Sequence, residues 1–305
     1  MTEEQLIRNL HCPAGKIDMV LDTDAYNEID DQFAIAYMLR SPEKLNVKEI
    51  YAAPFFNQHS TSPEDGMKRS YDEILKILDL AGCSELKQHV YLGSRTYLQN
   101  EKEPVDSPAA RALVALSASY TPEHPLYVAA IGAITNVASA LLLDPTMRER
   151  IVIVWLGGHG IHCPDTNEFN MRQDVAAARV VFGCGAPVVQ LPCGEVVEAF
   201  TVSGAELEHF LAGKNPLSDY LAKNTIAEAE VYAKGRPWTR TIWDVTTIAW
   251  LLDDKGRFMR SQLIPAPIPE YDNHYGFDSR RHFIRYVSWI YRDALMADLF
   301  DKLTH

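Results

Sequence analysis

The chain has 305 residues, of which 47% are apolar and 23% charged, and its formal net charge is −12. This is ordinary globular composition and excludes an intrinsically disordered chain. A nucleic-acid surface needs clustered Lys and Arg, and no basic run supplies one here, so no nucleic-acid partner is expected.

The opening stretch MTEEQLIRNLHCPAGK is polar and lacks the apolar core of a signal peptide, which predicts a cytoplasmic protein. KIDMVLDTD (16–24) reads as a near-continuous apolar strand, buried on both faces and ending in aspartates. DDQFAIAYMLRS (30–41) has apolar residues at helical spacing and is closed by Ser41-Pro42. NVKEIYAAPF (46–55) is a second strand, and SPEDGMKRSYDEILKILDLAG (62–82) a helix with a Ser-Pro start and a Gly stop. HVYLGS (89–94) is a short strand, DSPAARALVALSASY (106–120) a helix, LYVAAIG (126–132) a strand leading into AITNVASALLLDP (133–145), and RIVIVWLGG (150–158) a further strand. Residues 127–143 carry no charge over 17 positions, short of the ~20 of a membrane span. Gly132, Thr135 and Asn136 in that stretch mark a strand, a turn and a buried helix, so no membrane association is expected.

Strand and helix alternate to about residue 190, which implies βαβ units and a mainly parallel sheet. Residues 200–305 read as richer in helix, through GAELEHFLAG, LSDYLAKNTIAEAEVYAKG, TIWDVTTIAWLLDD and RRHFIRYVSWIYRDALMADLFDKL. There is no linker or repeat, and PAPIPE (265–270) is too short to separate domains. The expectation is one α/β domain over 1–305: a single open, mainly parallel sheet with helices on both faces and a helical C-terminal part. The five cysteines are scattered and form no C-x-x-C pair, so a zinc or redox motif has little support.

The chemistry concentrates in VLDTDAYNEIDDQFAIAYML (20–39), where Asp22, Asp24, Glu28, Asp30 and Asp31 lie between two apolar stretches. Capping of a helix start by Asp30 and Asp31 stabilises by under ~1 kcal/mol each and explains one or two acids, not four aspartates within ten residues. Close carboxylates repel by several kcal/mol unless some protonate or a cation neutralises them. A hard divalent metal with oxygen ligands meets that need. An EF-hand loop does not fit, because Tyr26 stands at its third ligand position and no Gly follows. A dehalogenase-type phosphatase motif would have Thr or Val where DTDAY has Tyr26.

A third pattern covers more of the chain. DTDAYNEIDDQFAIAYML resembles the N-terminal signature of the nucleoside hydrolase family, usually D-x-D-x-x-x-D-D, with two extra residues between the aspartate pairs. PFFNQ (54–58), AIGAITNVASALLLDP (130–145), VWLGGHG (154–160), NEFNMRQDVAAARVVF (167–182) and TIWDVTTIAWLL (241–252) resemble further family segments, in the same order. The resemblance implies the family's Rossmann-like fold and one Ca²⁺ held by Asp24, Asp31, the Ile131 carbonyl and Asp244, with Asp22 as support behind them. It implies that Asp30, Asn57, Glu168 and Asn170 grip ribose hydroxyls, and that Asp24 deprotonates the attacking water. Each also has a plainer reading: Asn57 as a loop cap, Glu168 and Asn170 as a helix start, Asp244 as an N-cap. Family members are commonly homodimers or homotetramers.

The match breaks at Trp243, which stands where purine- and pyrimidine-handling members carry a His that helps the base leave. An indole stacks and donates one hydrogen bond but delivers no proton at neutral pH. His159 and His162, and the aromatic or imidazole groups of Tyr232, Trp238, His274 and Tyr275, are candidates for that side of the site. The expected activity is a Ca²⁺-dependent hydrolysis of the N-glycosidic bond of ribonucleosides or related small ribosides. The alternative is a Ca²⁺- and ribose-binding relative without catalysis.

Overall fold

The computed structural model describes Met1–His305. After a short helix α1 (Glu3–Asn9), the chain alternates β1 (Ile17–Thr23), α2 (Asp30–Leu39), β2 (Leu45–Ala52), α3 (Pro63–Ala81) and β3 (Val90–Leu92). It continues through α4 (Pro108–Ser117), β4 (Leu126–Ala130), α5 (Thr135–Leu143), β5 (Ile151–Leu156), α6 (Phe169–Gln173), α7 (Val175–Gly183) and β6 (Val188–Leu191). Local signals act as expected: Ser62 caps α3 by accepting from the Asp65 amide, Pro63 opens the helix, and Gly82 ends it in the left-handed region.

The central sheet has the order β3-β2-β1-β4-β5-β6-β12-β9, parallel as far as β12 (Phe283–Ile290), with β9 (Met259–Pro265) antiparallel on the edge. Parallel strands buried on both faces read as apolar runs, and β5 shows why. Val152, Val154 and Leu156 join the core on one face, Ile151, Ile153 and Trp155 the core on the other. Burying each such side chain stabilises by roughly 1.5–3 kcal/mol. The first core packs Phe33 of α2, Ile74 of α3, and aromatic and apolar side chains from the C-terminal helices; the second packs Leu113 of α4, Val137 of α5 and Val181 of α7.

The C-terminal part comprises β7 (Thr201–Ser203), α8 (Gly204–Phe210), α9 (Pro216–Ala233), β8 (Thr239–Thr241), α10 (Val245–Leu252), β9 (Met259–Pro265), β10 (Ile268–Pro269), β11 (Tyr275–Gly276), β12 (Phe283–Ile290) and α11 (Arg292–Thr304). Here one expectation is corrected. Residues 280–303 are not one helix: Phe283–Ile290 is a strand that pairs with β6 and β9, and only Arg292–Thr304 is helical. FIRYVSWI is rich in β-branched and aromatic residues, and its Ile284, Tyr286, Val287 and Ile290 are buried against the sheet.

This winding fixes where a ligand goes. From β1 the chain builds outward through β2 and β3, then returns to β4 on the other side and builds through β5 and β6. Neighbouring strands β1 and β4 therefore lead to connections on opposite sides, leaving a crevice at their carboxyl ends. Asp22 and Thr23 end β1, and Ile131 follows β4 directly.

Candidate active site

Asp24, Asp30, Asp31 and Asp244 are all buried. The capping explanation does not account for the aspartates at the helix starts: Ile29 occupies the N-cap of α2, and Asp244 at the N-cap of α10 makes no side-chain cap bond. Instead Asp30, Asp31 and Asp244 each place a carboxylate oxygen within 4.8 Å of the others. Thr23 Oγ1 donates to Asp31 Oδ1 at 2.5 Å. Both oxygens of Asp24 are buried without any partner. Burial first, then the charges of Asp31 and Asp30, push the Asp24 carboxyl well above the usual carboxylate range. Burial and Asp30 do the same to Asp31, and burial with Asp30 and Asp31 to Asp244.

Two full charges 4 Å apart repel by about 4 kcal/mol at an effective dielectric of 20. Three such groups within 4.8 Å of one another, with the two orphaned oxygens of Asp24 in charge contact with Asp30 and Asp31, match the donor set of a hard divalent cation. The surroundings are cut to the carboxylates. An ideal Cβ on Gly132 would lie 2.9 Å from Asp24 Oδ1, so a side chain at that position collides with the acid. Behind it, Asp22 Oδ1 accepts from Asn136 Nδ2 at 2.7 Å, while burial raises the Asp22 carboxyl to about 7.

Above the carboxylates opens a cavity of about 380 Å³. Asp30, Asn57, Ile131, Glu168, Asn170, Trp243 and Asp244 all line it; Asp22, Asp24 and Asp31 lie outside its lining. Asn170 Nδ2 donates to the carbonyls of Ile131 and Leu156, each at 3.1 Å. Both its amide hydrogens are thereby used, leaving Oδ1 for a ligand hydroxyl. Glu168 caps α6, as its plainer reading had it, accepting from the amides of Asn170 (2.8 Å), Met171 (2.9 Å) and Gly158 (2.8 Å). It also lines the cavity, so capping and ligand contact are compatible. Asn57 is held by Asn27, to whose Oδ1 its Nδ2 donates at 2.5 Å.

Of the candidates for the leaving-group side, His159 and Trp243 line the cavity, whereas His162, Tyr232, Trp238, His274 and Tyr275 do not. Tyr275 is instead a half-buried support whose hydroxyl bonds Gln190 and the His159 carbonyl. Sequence reasoning missed Arg240, whose Nη2 pairs with Glu28 Oε2 at 2.7 Å and stands 4.0 Å from Asp30 Oδ1. Its side chain is 15% exposed, and Glu28 lies in the stretch between the aspartate pairs that is two residues longer than the signature. Asn27, Asn167 and Arg172, with the apolar Phe169, complete a lining that was not anticipated.

Residues 19–276 match the family described as inosine-uridine preferring nucleoside hydrolase. Among curated relatives, the pyrimidine-specific ribonucleoside hydrolase RihA of Salmonella typhimurium is 29% identical over 257 residues, covering 77% of this chain and 79% of its own. Among solved structures, a plant nucleoside hydrolase (PpNRh1) aligns with a TM-score of 0.77 at 21% identity, covering 96% of this chain and 99% of its own. The purine-preferring ribonucleoside hydrolase of Gardnerella vaginalis aligns with a TM-score of 0.74 at 19% identity, covering 94% and 98%. The protein is thus an N-glycosyl hydrolase by class. It belongs to the inosine-uridine preferring nucleoside hydrolase family, whose substrates are small ribonucleosides.

Proposed function

We propose that the protein hydrolyses the N-glycosidic bond of ribonucleosides or related ribosides with Ca²⁺ as cofactor and Asp24 as general base. The observation that carries this reading is the pair of buried, unpartnered Asp24 oxygens beside the Asp30–Asp31–Asp244 cluster, beneath a cavity lined by hydroxyl-binding groups. Asp24, Asp31, Asp244 and the Ile131 carbonyl would hold the ion, and Ca²⁺ suits such an irregular all-oxygen set better than the stricter Mg²⁺. When bound, a hard dication neutralises the acids, anchors vicinal hydroxyls and makes a nearby water more acidic.

Asp24 accepts the proton of the attacking water as its oxygen bonds the anomeric carbon and the C–N bond breaks. Asp22, at the end of β1 and bonded to Asn136, supports Asp24 two residues on. Asp30, Asn57, Glu168 and the free Asn170 Oδ1 grip the ribose, so that substrate binding favours the distorted, cationic sugar of the transition state. Trp243 forms a stacking wall for a flat leaving group, worth roughly 1–3 kcal/mol by analogy with base–aromatic contacts.

Ribose release from p-nitrophenyl riboside and from a panel of nucleosides tests this reading. The expected order is efficient turnover of the activated riboside and slow turnover of inosine, with Trp243→His narrowing the gap. Ribose binding without release from any substrate would identify a catalytically silent relative instead.

A further inference from the structure

We propose that His159 is the hydrogen-bond donor to the departing group, and that the favoured substrates are ribosides whose leaving group departs as an anion. This inference rests on the riboside hydrolysis proposed above. His159 follows the left-handed Gly158 after β5 and lines the same cavity as Trp243. Its ring is fixed from behind, where the Gly194 amide donates to Nδ1 at 3.0 Å. An ideal Cβ on Gly194 would stand 2.7 Å from Nδ1, so this approach requires a glycine. The backbone is held as well: the Gly158 amide donates to Glu168 Oε2 at 2.8 Å, and the Tyr275 hydroxyl to the His159 carbonyl at 3.3 Å.

With Nδ1 occupied as an acceptor, the neutral ring carries its proton on Nε2. Nε2 makes no hydrogen bond within the protein and is not among its buried, unpartnered polar atoms, on a residue that lines the cavity. When the glycosidic bond breaks, its electron pair passes to the leaving atom while Asp24 takes the proton of water. An Nε2–H bond spreads the new negative charge. Giving up that proton entirely would leave an imidazolate, and protonating Nδ1 first would break the Gly194 bond. The leaving group therefore departs as a hydrogen-bonded anion and takes its proton from solvent afterwards. A phenol or an acidic heterocycle such as uracil suits this chemistry. Adenine, which needs protonation on the ring before departure, does not.

The test compares kcat and KM of the full-length wild type, His159→Phe and His159→Gln on uridine, adenosine and p-nitrophenyl riboside, together with inhibition by free ribose. The wild type should prefer uridine to adenosine. His159→Phe should lower kcat on uridine about 10²-fold, as for loss of one anion-stabilising donor. Turnover of the activated riboside should stay within about threefold and ribose inhibition should not move. The amide of His159→Gln should recover about tenfold on uridine. Equal losses on uridine and the activated riboside, or an unchanged kcat on uridine, would overturn the role of His159 while leaving the hydrolase reading intact; a wild type that prefers adenosine would overturn the substrate class. A wild type that releases ribose from none of the three would overturn the hydrolase reading and this inference with it.

Discussion

Asp24→Asn is expected to reduce hydrolysis about 10²–10⁴-fold, the range for losing a general base, while leaving ribose binding much less affected. The substitution is nearly isosteric and keeps one oxygen for a cation, but an amide takes no proton from water. It also changes the electrostatics in an informative direction. Asp24 has two buried oxygens with no partner, and burial and the charges of Asp31 and Asp30 disfavour its ionised form. Replacing this acid with an amide that never ionises should therefore make the metal-free fold no less stable. Steady-state kinetics paired with ribose titration separates the two effects. Activity within a few-fold of wild type would move the base to another aspartate.

Asn136→Ala is expected to destabilise the fold by about 3–5 kcal/mol, because one buried amide satisfies four groups. Its Nδ2 donates to Asp22 Oδ1 at 2.7 Å and to the Ala52 carbonyl at 3.2 Å, and its Oδ1 accepts from the Ser94 amide at 2.7 Å and hydroxyl at 2.8 Å. Alanine strips partners from an acid at the end of β1, a carbonyl at the end of β2 and the loop after β3 at once. Denaturant unfolding should show a lower midpoint at an unchanged slope. A loss under about 1 kcal/mol would mean that these groups find other partners, and Asp22 would then lose its assigned support for Asp24.

Much of this arrangement was legible in the sequence because it follows from burial. A run such as RIVIVWLGG suits an α/β chain as a parallel strand covered on both faces. Aspartates gathered at the end of such a strand declare a site, since helix capping is too weak a reason to keep them there. β12 was not legible: FIRYVSWIYRDALMADLF places apolar residues at spacings that satisfy both periods, and only pairing with β6 and β9 decides between them. That Asn57, Glu168 and Asn170 would share one cavity was readable from segment order, but the capping of α6 by Glu168 became plain only with its three amide donors in place. Arg240 reaches Glu28 across 212 positions, and Gly194 reaches His159 across 35, so no local pattern announced either pair.

The proposed cation would make the buried carboxylates of Asp24, Asp30, Asp31 and Asp244 tolerable and productive. The most direct measurement is ribose release from p-nitrophenyl riboside, followed together with the melting temperature, for protein stripped by a chelator and then given back Ca²⁺. Ligand linkage predicts about 2.7 kcal/mol of added stability at a free ion concentration of 100 Kd. The stripped protein should be inactive with a lowered melting temperature, and Ca²⁺ should restore both. Full activity and an unchanged melting temperature in chelator would contradict the assignment of Asp24, Asp31 and Asp244 as a metal site.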